Sequence, residues 1–486
     1  MGLAFHIENF GCRAARADGE AVGDRLRALG HCAERPSNAD VVVVNTCSVT
    51  AEADREARAY IRRAHRLNPE ARIVVTGCYA QRAPGELAGL PGVAAVIGNS
   101  HKALAPEIVT ALGLPSPQGE IDQAVVPVHT LTRRSAAGSA PIYADDRFAH
   151  SFLEEAQVVP GAQTRPNLKI QEGCGNRCTF CVIPQTRGNS RSLAEDKVLG
   201  QVRGFVEAGG NELVLSGINL GRWGRDLPHS GTTARPSLAR LLRRIFGESS
   251  LPRLRLSSIE PMDWDQELIG LLREFGGTRL ARHAHLPLQS GSDSVLRRMH
   301  RRYRPWHYAE KVHALREAAG NGLTVGADVM VGFPGETDRE FGETIDLIRQ
   351  LPFGYLHLFP FSPRPGTPGW ELHRQTPVPA SVVDERMAEL RALAQDKTRT
   401  HRRSFVGRML ECVALHTPAS LATQNCSAVL TENFLPLAAE GTLTANSLVS
   451  VRVIGMNSEG SLTGHPIRDR GNPMSDRQQR AGTKRE

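Results

Sequence analysis

Leu168-Lys169-Ile170-Gln171-Glu172-Gly173-Cys174-Gly175-Asn176-Arg177-Cys178-Thr179-Phe180-Cys181 places a strand-like run directly before three cysteines spaced CxxxCxxC. Three thiolates this close can wrap a compact loop around one metal centre. Structural zinc takes four protein ligands, usually as two CxxC-like pairs. Here no fourth Cys or His stands beside the loop. A three-cysteine site leaves one position open. A [4Fe–4S] cluster holds such a vacancy on its fourth iron, where a small chelating molecule can bind and receive an electron. The plainer reading is three incidental buried thiols or a degenerate zinc knuckle.

The same strand opens a series. Strand-like runs recur at 212–215, 253–257, 284–288, 324–331 and 355–359, separated by helical stretches at 194–208, 263–274, 305–319 and 338–351. Six strand–helix repeats predict a partial (β/α)6 barrel. Upstream, a short β-like run at 5–7, the apolar runs 41–44 and 72–76, and 93–97 alternate with helices ending near 29 and 67. Apolar strands of this kind predict a parallel α/β sheet covered on both faces. Cys12, Cys47 and Cys78 each follow a strand end, so all three can converge on one sheet edge. Cys32, Cys412 and Cys426 lack that setting and read as small apolar residues.

Between 114 and 166 the apolar period fades into Pro, Gly, Ser and Ala. After about 403, short runs at 410–415, 427–430 and 448–454 predict a small β-barrel. The expected division is an N-terminal α/β domain at 1–113, a linker at 114–166, a core at 167–396, a β-barrel at 397–465 and a flexible tail at 466–486.

The 486 residues are 40% apolar, 23% charged and 5% aromatic, which excludes wholesale disorder and calls for an aliphatic core. No run of about 18 apolar residues exists, so no membrane-spanning helix is expected. The N-terminus lacks a basic region followed by an apolar stretch, which argues against a secretory signal and for a cytoplasmic protein. In that reducing compartment, clustered cysteines point to metal rather than disulfides. Lys and Arg exceed Asp and Glu by 59 to 51, a surplus that permits a polyanionic partner only where it is concentrated. It is concentrated at Arg297-Arg298-Met299-His300-Arg301-Arg302-Tyr303-Arg304 and at Lys397-Thr398-Arg399-Thr400-His401-Arg402-Arg403. These runs are expected either to meet phosphates or to be solvated helix faces.

The CxxxCxxC loop, with Phe180 before its last cysteine, resembles the radical S-adenosylmethionine superfamily. The three upstream cysteines make the chain similar to the methylthiotransferases within it. The matching stretches are Asn45-Thr46-Cys47-Ser48-Val49-Thr50, Gly77-Cys78-Tyr79-Ala80-Gln81, Leu256-Ser257-Ser258-Ile259-Glu260-Pro261, Leu286-Pro287-Leu288-Gln289-Ser290-Gly291-Ser292 and Asp328-Val329-Met330-Val331-Gly332-Phe333-Pro334-Gly335-Glu336-Thr337. They span nearly the whole chain to about Gly464, apart from the linker. Arg187-Gly188-Asn189-Ser190-Arg191-Ser192 is most like the branch acting on N6-threonylcarbamoyladenosine in tRNA. The isopentenyladenosine and ribosomal-protein branches look more distant. The C-terminal part resembles the RNA-binding TRAM module, most closely at Thr431-Glu432-Asn433-Phe434-Leu435-Pro436.

The resemblance implies two [4Fe–4S] clusters, one on Cys174, Cys178 and Cys181 and one on Cys12, Cys47 and Cys78. S-adenosyl-L-methionine would chelate the first cluster and yield a radical that takes hydrogen from C2 of adenine 37. The second cluster would hold the sulfur, and a second S-adenosyl-L-methionine would give the methyl group. That C–H is not appreciably acidic, so the hard step belongs to the cofactor and no side chain is assigned as catalytic acid or base. The implied partners are the tRNA anticodon loop, an electron donor and a sulfur source that the sequence does not name.

Near the cofactor, Phe180 is expected on the adenine and Gly217 and Asn219 beside the methionine part. Ser258, Glu260 and Gln289 are strand-end groups for the ribose hydroxyls or the amine. Ala15 and Ala51 stand where relatives commonly carry Asn, which removes side-chain amides from the neighbourhood of the second cluster. The other readings are a methylthiotransferase for N6-isopentenyladenosine tRNA or a ribosomal-protein Asp, and a non-catalytic metal-containing RNA-binding protein.

Overall fold

The computed structural model describes residues 2–113, 139–148, 164–228 and 235–467. Most of the expected linker and nearly all of the expected tail therefore lie outside the described residues.

The N-terminal part is a parallel sheet of β1 (Ala4–Asn9), β2 (Cys32–Ala33), β3 (Val41–Thr46), β4 (Arg72–Gly77), β5 (Val93–Gly98) and β6 (Ile142–Tyr143), in the order β2-β1-β3-β4-β5-β6. All four valines of β3 are buried, because a central strand covered on both faces has no solvent side to alternate with. One apolar core packs Tyr60, Ile61 and Leu87 on Val42 and Val44; the other packs Val22, Leu26 and Val109 on Val41 and Val43. The helix Ala51–Leu67 starts where the Thr50 hydroxyl accepts from the amide of Ala53. Ile142–Tyr143, inside the expected linker, pairs with Val96 and Ile97 as the sixth strand; two residues are too few to show a period. The strand order reverses between β1 and β3, which opens a crevice at their carboxyl ends.

The central part holds the six expected parallel strands: β7 (Asn167–Glu172), with a two-residue antiparallel edge strand β8 (Arg191–Ser192), then β9 (Glu212–Gly217), β10 (Arg253–Leu256), β11 (His283–His285), β12 (Thr324–Val331) and β13 (Phe353–Pro360). They pair as β10-β9-β7-β8 and β11-β12-β13, joined through a bridge between Leu254 and Leu280, so the barrel is partial. β11 ends at His285 rather than 288. Pro287 lacks a donor, and Gln289, at φ 65°, turns its amide onto the Asp328 carbonyl. Helices at Leu238–Glu248, Pro368–Gln375 and Ala380–Arg403 add to the expected set, and the last runs through the boundary expected at 396/397.

The C-terminal part is a closed barrel of β14 (Met409–Ala414), β15 (Cys426–Thr431), β16 (Pro436–Glu440), β17 (Leu448–Met456) and β18 (Leu462–Pro466), in the order β14-β15-β16-β18-β17. Its β15–β16 turn plugs the lower mouth of the central barrel. Glu432 takes the guanidinium and the backbone amide of Arg282, Asn433 donates to the Gly322 carbonyl at 2.9 Å, and Arg255 donates to the Thr431 carbonyl at 3.2 Å. The stretch most like the RNA-binding module thus faces inward, because Glu432 and Asn433 satisfy the strand starts above them. Among the described residues, no helix is long and apolar enough to cross a membrane.

Candidate functional site

Cys12 caps the helix Arg13–Ala28, Cys47 follows β3, and Cys78 opens the helix Cys78–Arg82 directly after β4. Gly11 and Gly77 make this possible. Both have positive φ, and a Cβ on Gly11 would fall 2.7 Å from the Cys47 sulfur. The Cys12 turn therefore lies against the Cys47 side chain. Burial pushes the Cys47 thiol up to about 12, and the neighbouring Cys78 and Cys12 add to the shift. Cys78 Sγ accepts from Asn99 Nδ2 at 3.4 Å and from Arg187 Nε at 3.3 Å.

The second set sits on the loop after β7. Thr179 anchors it by its amide to the Met299 carbonyl and by its hydroxyl to the Arg298 carbonyl. Burial pushes Cys181 up to about 12, with Cys178 and Cys174 adding to it. Arg301 Nη1 donates to Cys178 Sγ at 3.2 Å and Nη2 to Glu260 at 2.6 Å, while Asn219 Nδ2 lies 3.6 Å from Cys174 Sγ.

Among the described residues, no three His, Cys, Asp or Glu side chains are gathered for a single ion. In a [4Fe–4S] cluster each thiolate takes its own iron, so such ligands stand farther apart than around one ion. Each set presents thiols to cationic or amide N–H donors, and buried thiols lose their protons to a metal that supplies positive charge. Both sets fit iron–sulfur ligation.

A buried ion network joins the two cysteine-bearing parts. Asp18 accepts from Lys102 at 2.8 Å, from Arg187 at 3.0 Å, and from Lys169. Glu172 takes Lys169 at 2.7 Å and Arg187 at 2.9 Å. Burial pushes the Asp18 carboxyl up, but Lys102, Lys169 and Arg187 outweigh it and hold it well below the usual carboxylate range. Burial likewise raises Glu172, and Arg187 and Lys169 bring it down to about 2. Arg187 ends the helix Ile183–Arg187, one turn beyond Cys181. One side chain therefore links the helix leaving the second cysteine set to a sulfur of the first.

The expected cofactor-side residues divide. Glu260 and Cys178 line one cavity of about 250 Å³ together with Gly175, Arg301 and Arg302. Asn219 reaches Cys174, and its amide donates to Gln171 Oε1 at 2.6 Å. Gly217 leaves no room for a Cβ, which would lie 2.8 Å from Gln171. Gln289 is buried with its side-chain oxygen unpaired. Ser258 instead meets His285 Nδ1 at 2.7 Å, and His285 Nε2 lies 3.4 Å from Asp328. Phe180 is half-buried against the barrel core.

The first basic run carries its charges in ion pairs, with Arg297 and Arg302 still exposed. Arg297 pairs with Asp293, Arg298 with Glu340, Arg301 with Glu260, Arg302 with Asp263 and Arg304 with Asp293. These guanidiniums are mostly spent on carboxylates. In the second run, Arg399 and Arg403 line an open groove of about 490 Å³ at the junction with the C-terminal barrel, beside Ser458 and Gly460.

Residues 4–98 match a family described as Uncharacterized protein family UPF0004, and residues 168–348 match the Radical SAM superfamily. A threonylcarbamoyladenosine tRNA methylthiotransferase MtaB from Bacillus subtilis is 35% identical over 443 residues, covering 90% of each chain. The chain belongs to the radical SAM methylthiotransferase family. A tRNA-2-methylthio-N(6)-dimethylallyladenosine synthase from Geobacter metallireducens is 34% identical, covering 83% of this chain and 85% of its own. The radical S-adenosylmethionine methyltransferase TsrM from Kitasatospora setae shares the fold, with a TM-score of 0.51 at 17% identity over 77% of this chain and 76% of its own. As a radical SAM methylthiotransferase, the chain uses S-adenosylmethionine and a [4Fe–4S] cluster.

Sequence reasoning missed the groups packed on the two cysteine sets: Arg301, Asn99, and the network of Asp18, Lys102, Lys169, Glu172 and Arg187. One signal was available. Lys169 stands between Leu168 and Ile170 in a strand with both faces buried, where a charge persists only if it is paired.

Proposed function

We propose that this methylthiotransferase adds a methylthio group to C2 of N6-threonylcarbamoyladenosine at position 37 of tRNA, with two [4Fe–4S] clusters held by Cys174, Cys178 and Cys181 and by Cys12, Cys47 and Cys78. The observation that carries the reading is the contact of Arg187, on the helix that follows Cys181, with Cys78 of the other cysteine set. When bound, the first cluster with S-adenosylmethionine supplies a radical and the second supplies sulfur.

The chain's own residues orient and insulate. Arg301 and Asn219 donate to thiols of the Cys174, Cys178 and Cys181 set, and Arg187 and Asn99 donate to Cys78 of the other set. Glu260, held by Arg301 on the cavity wall beside Cys178, is placed for the methionine amine, with Gly217 and Asn219 beside it. Gln289, buried with its side-chain oxygen unpaired, is a further candidate for the cofactor side, whereas Ser258 is engaged by His285 and Phe180 packs on the barrel core. Arg399 and Arg403 in their groove suit RNA phosphates. The 35% identity to a threonylcarbamoyladenosine tRNA methylthiotransferase over 90% of both chains supports that nucleoside.

The test is mass spectrometry of tRNA nucleosides from a strain lacking this gene, complemented with the wild-type chain or with Cys78→Ala. The 2-methylthio derivative of threonylcarbamoyladenosine returns only with the wild type. Restoration of the isopentenyl derivative instead would assign the other nucleoside, and no change in tRNA would remove the reading.

A further inference from the structure

The lower half of the central barrel carries more positive charge than its own carboxylates balance. Arg165, Arg253 and Arg255 share one carboxylate, Glu212, at 3.6, 3.4 and 2.8 Å. Arg255 and Glu212 are fully buried. Several of their N–H groups have no acceptor among the described residues: Arg255 Nη1, Arg253 Nε and Arg165 Nε. A fourth guanidinium, Arg13, joins them from the N-terminal part. It lies over the Phe434 ring at 5.9 Å, close enough to Arg255, Tyr355 and Glu212 to feel their charge, and the described residues give it no carboxylate partner. Arg13 is nevertheless exposed, so its guanidinium is open to a ligand. Buried guanidiniums with unpaired N–H groups are costly unless an anion completes them.

The position of Arg13 says which anion. It is the residue after Cys12, so its side chain and the Cys12 sulfur leave the same turn. In adenine, C2 and C6 both flank N1 on one edge of the ring. A nucleoside whose C2 reaches the Cys12 set therefore carries its N6 substituent alongside, and threonylcarbamoyl ends in a carboxylate where isopentenyl ends in methyl groups. A planar guanidinium matches a carboxylate with two parallel hydrogen bonds.

We propose that the lower lumen is a carboxylate-binding pocket in which Arg13, backed by Arg255 and Arg165, reads the threonyl carboxylate of the substrate nucleoside. The proposal rests on the substrate reading given above. Arg13 is a specificity residue in this role: it meets the substrate away from the reacting carbon, and a neutral N6 substituent leaves the guanidinium cluster behind it without an anion.

The experiment uses the full-length holoenzyme and labelled anticodon stem–loops carrying N6-threonylcarbamoyladenosine, its threonyl methyl ester, or N6-isopentenyladenosine, with binding read by fluorescence anisotropy. The wild type should bind the free acid about 10- to 100-fold more tightly than the ester. Arg13→Gln should bring that ratio close to one, and Arg13→Lys should keep part of it. Equal wild-type affinity for acid and ester would overturn the proposal without any variant, and would assign the surplus charge to backbone phosphate instead. A preference that survives in Arg13→Gln would overturn the role of Arg13. Tightest binding of the isopentenyl stem–loop would remove the substrate reading itself, a result distinct from equal affinity for acid and ester.

Discussion

Replacing Asp18 with Asn removes one negative charge from the network that joins the two cysteine-bearing parts and keeps the side chain's size. In the native chain, two carboxylates, Asp18 and Glu172, hold three cations: Lys102, Lys169 and Arg187. After the change, Glu172 still holds Lys169 and Arg187, while buried Lys102 loses its carboxylate. Breaking a buried ion network from one side costs about 3–5 kcal/mol, a large part of the roughly 5–15 kcal/mol that holds a domain folded. With urea slopes of about 1–3 kcal/mol per molar, the unfolding midpoint should fall by about 1 M or more. The compensating double variant Asp18→Asn/Lys102→Met removes one cation as well and should recover at least half of the loss. Urea unfolding of the anaerobically purified chain, followed by circular dichroism, reads both. A single variant within about 0.2 M of wild type, or a double variant that loses more than the single one, would refute the claim that this network bolts the parts together.

Gly11→Ala must accommodate a Cβ 2.5 Å from that of Cys47 at a φ of 99°, so it should lower bound iron while cleavage of S-adenosylmethionine persists; unchanged iron content would count against the packing of Cys12 on Cys47. Glu172 sits at about 2 against an ordinary 4.5, so the unfolded chain binds its proton first. The stability this group provides is complete above about pH 5 and drains away, by about 3 kcal/mol, as the pH falls towards 2. Acid unfolding of Glu172→Gln should show that limb flattened, and an identical profile would speak against it. Phe434→Ala empties a site between His283, at 4.4 Å, and Tyr355, at 5.6 Å; a loss of roughly 1–3 kcal/mol in thermal unfolding is expected, and a neutral result would mean that the plug does not hold the C-terminal barrel.

Much of the fold is readable because it is written locally. The four valines of β3 and the six strand–helix repeats announce themselves within a few residues, and the cysteines mark strand ends by their neighbours alone. What escaped is non-local. The run from Arg297 to Arg304 looks like a phosphate-binding face until Glu260, Asp263 and Glu340, far off in sequence, are seen to claim its charges. Thr431–Pro436 carries a module's signature yet serves as a plug, since only the assembled barrel shows what Glu432 and Asn433 satisfy. Arg187 lay within a motif quoted for likeness, but its role depends on Cys78 and Asp18 arriving from another sheet. Ile142–Tyr143 is too short to betray a strand without its partner.

Two separate iron–sulfur sites per chain are tested most directly by iron and sulfide counts on anaerobically reconstituted protein. The wild type should hold about eight irons per chain, and the triple alanine variants at Cys12, Cys47 and Cys78 or at Cys174, Cys178 and Cys181 about four each, with only the former still cleaving S-adenosylmethionine. A wild-type count near four that the upstream triple variant leaves unchanged would contradict two sites per chain.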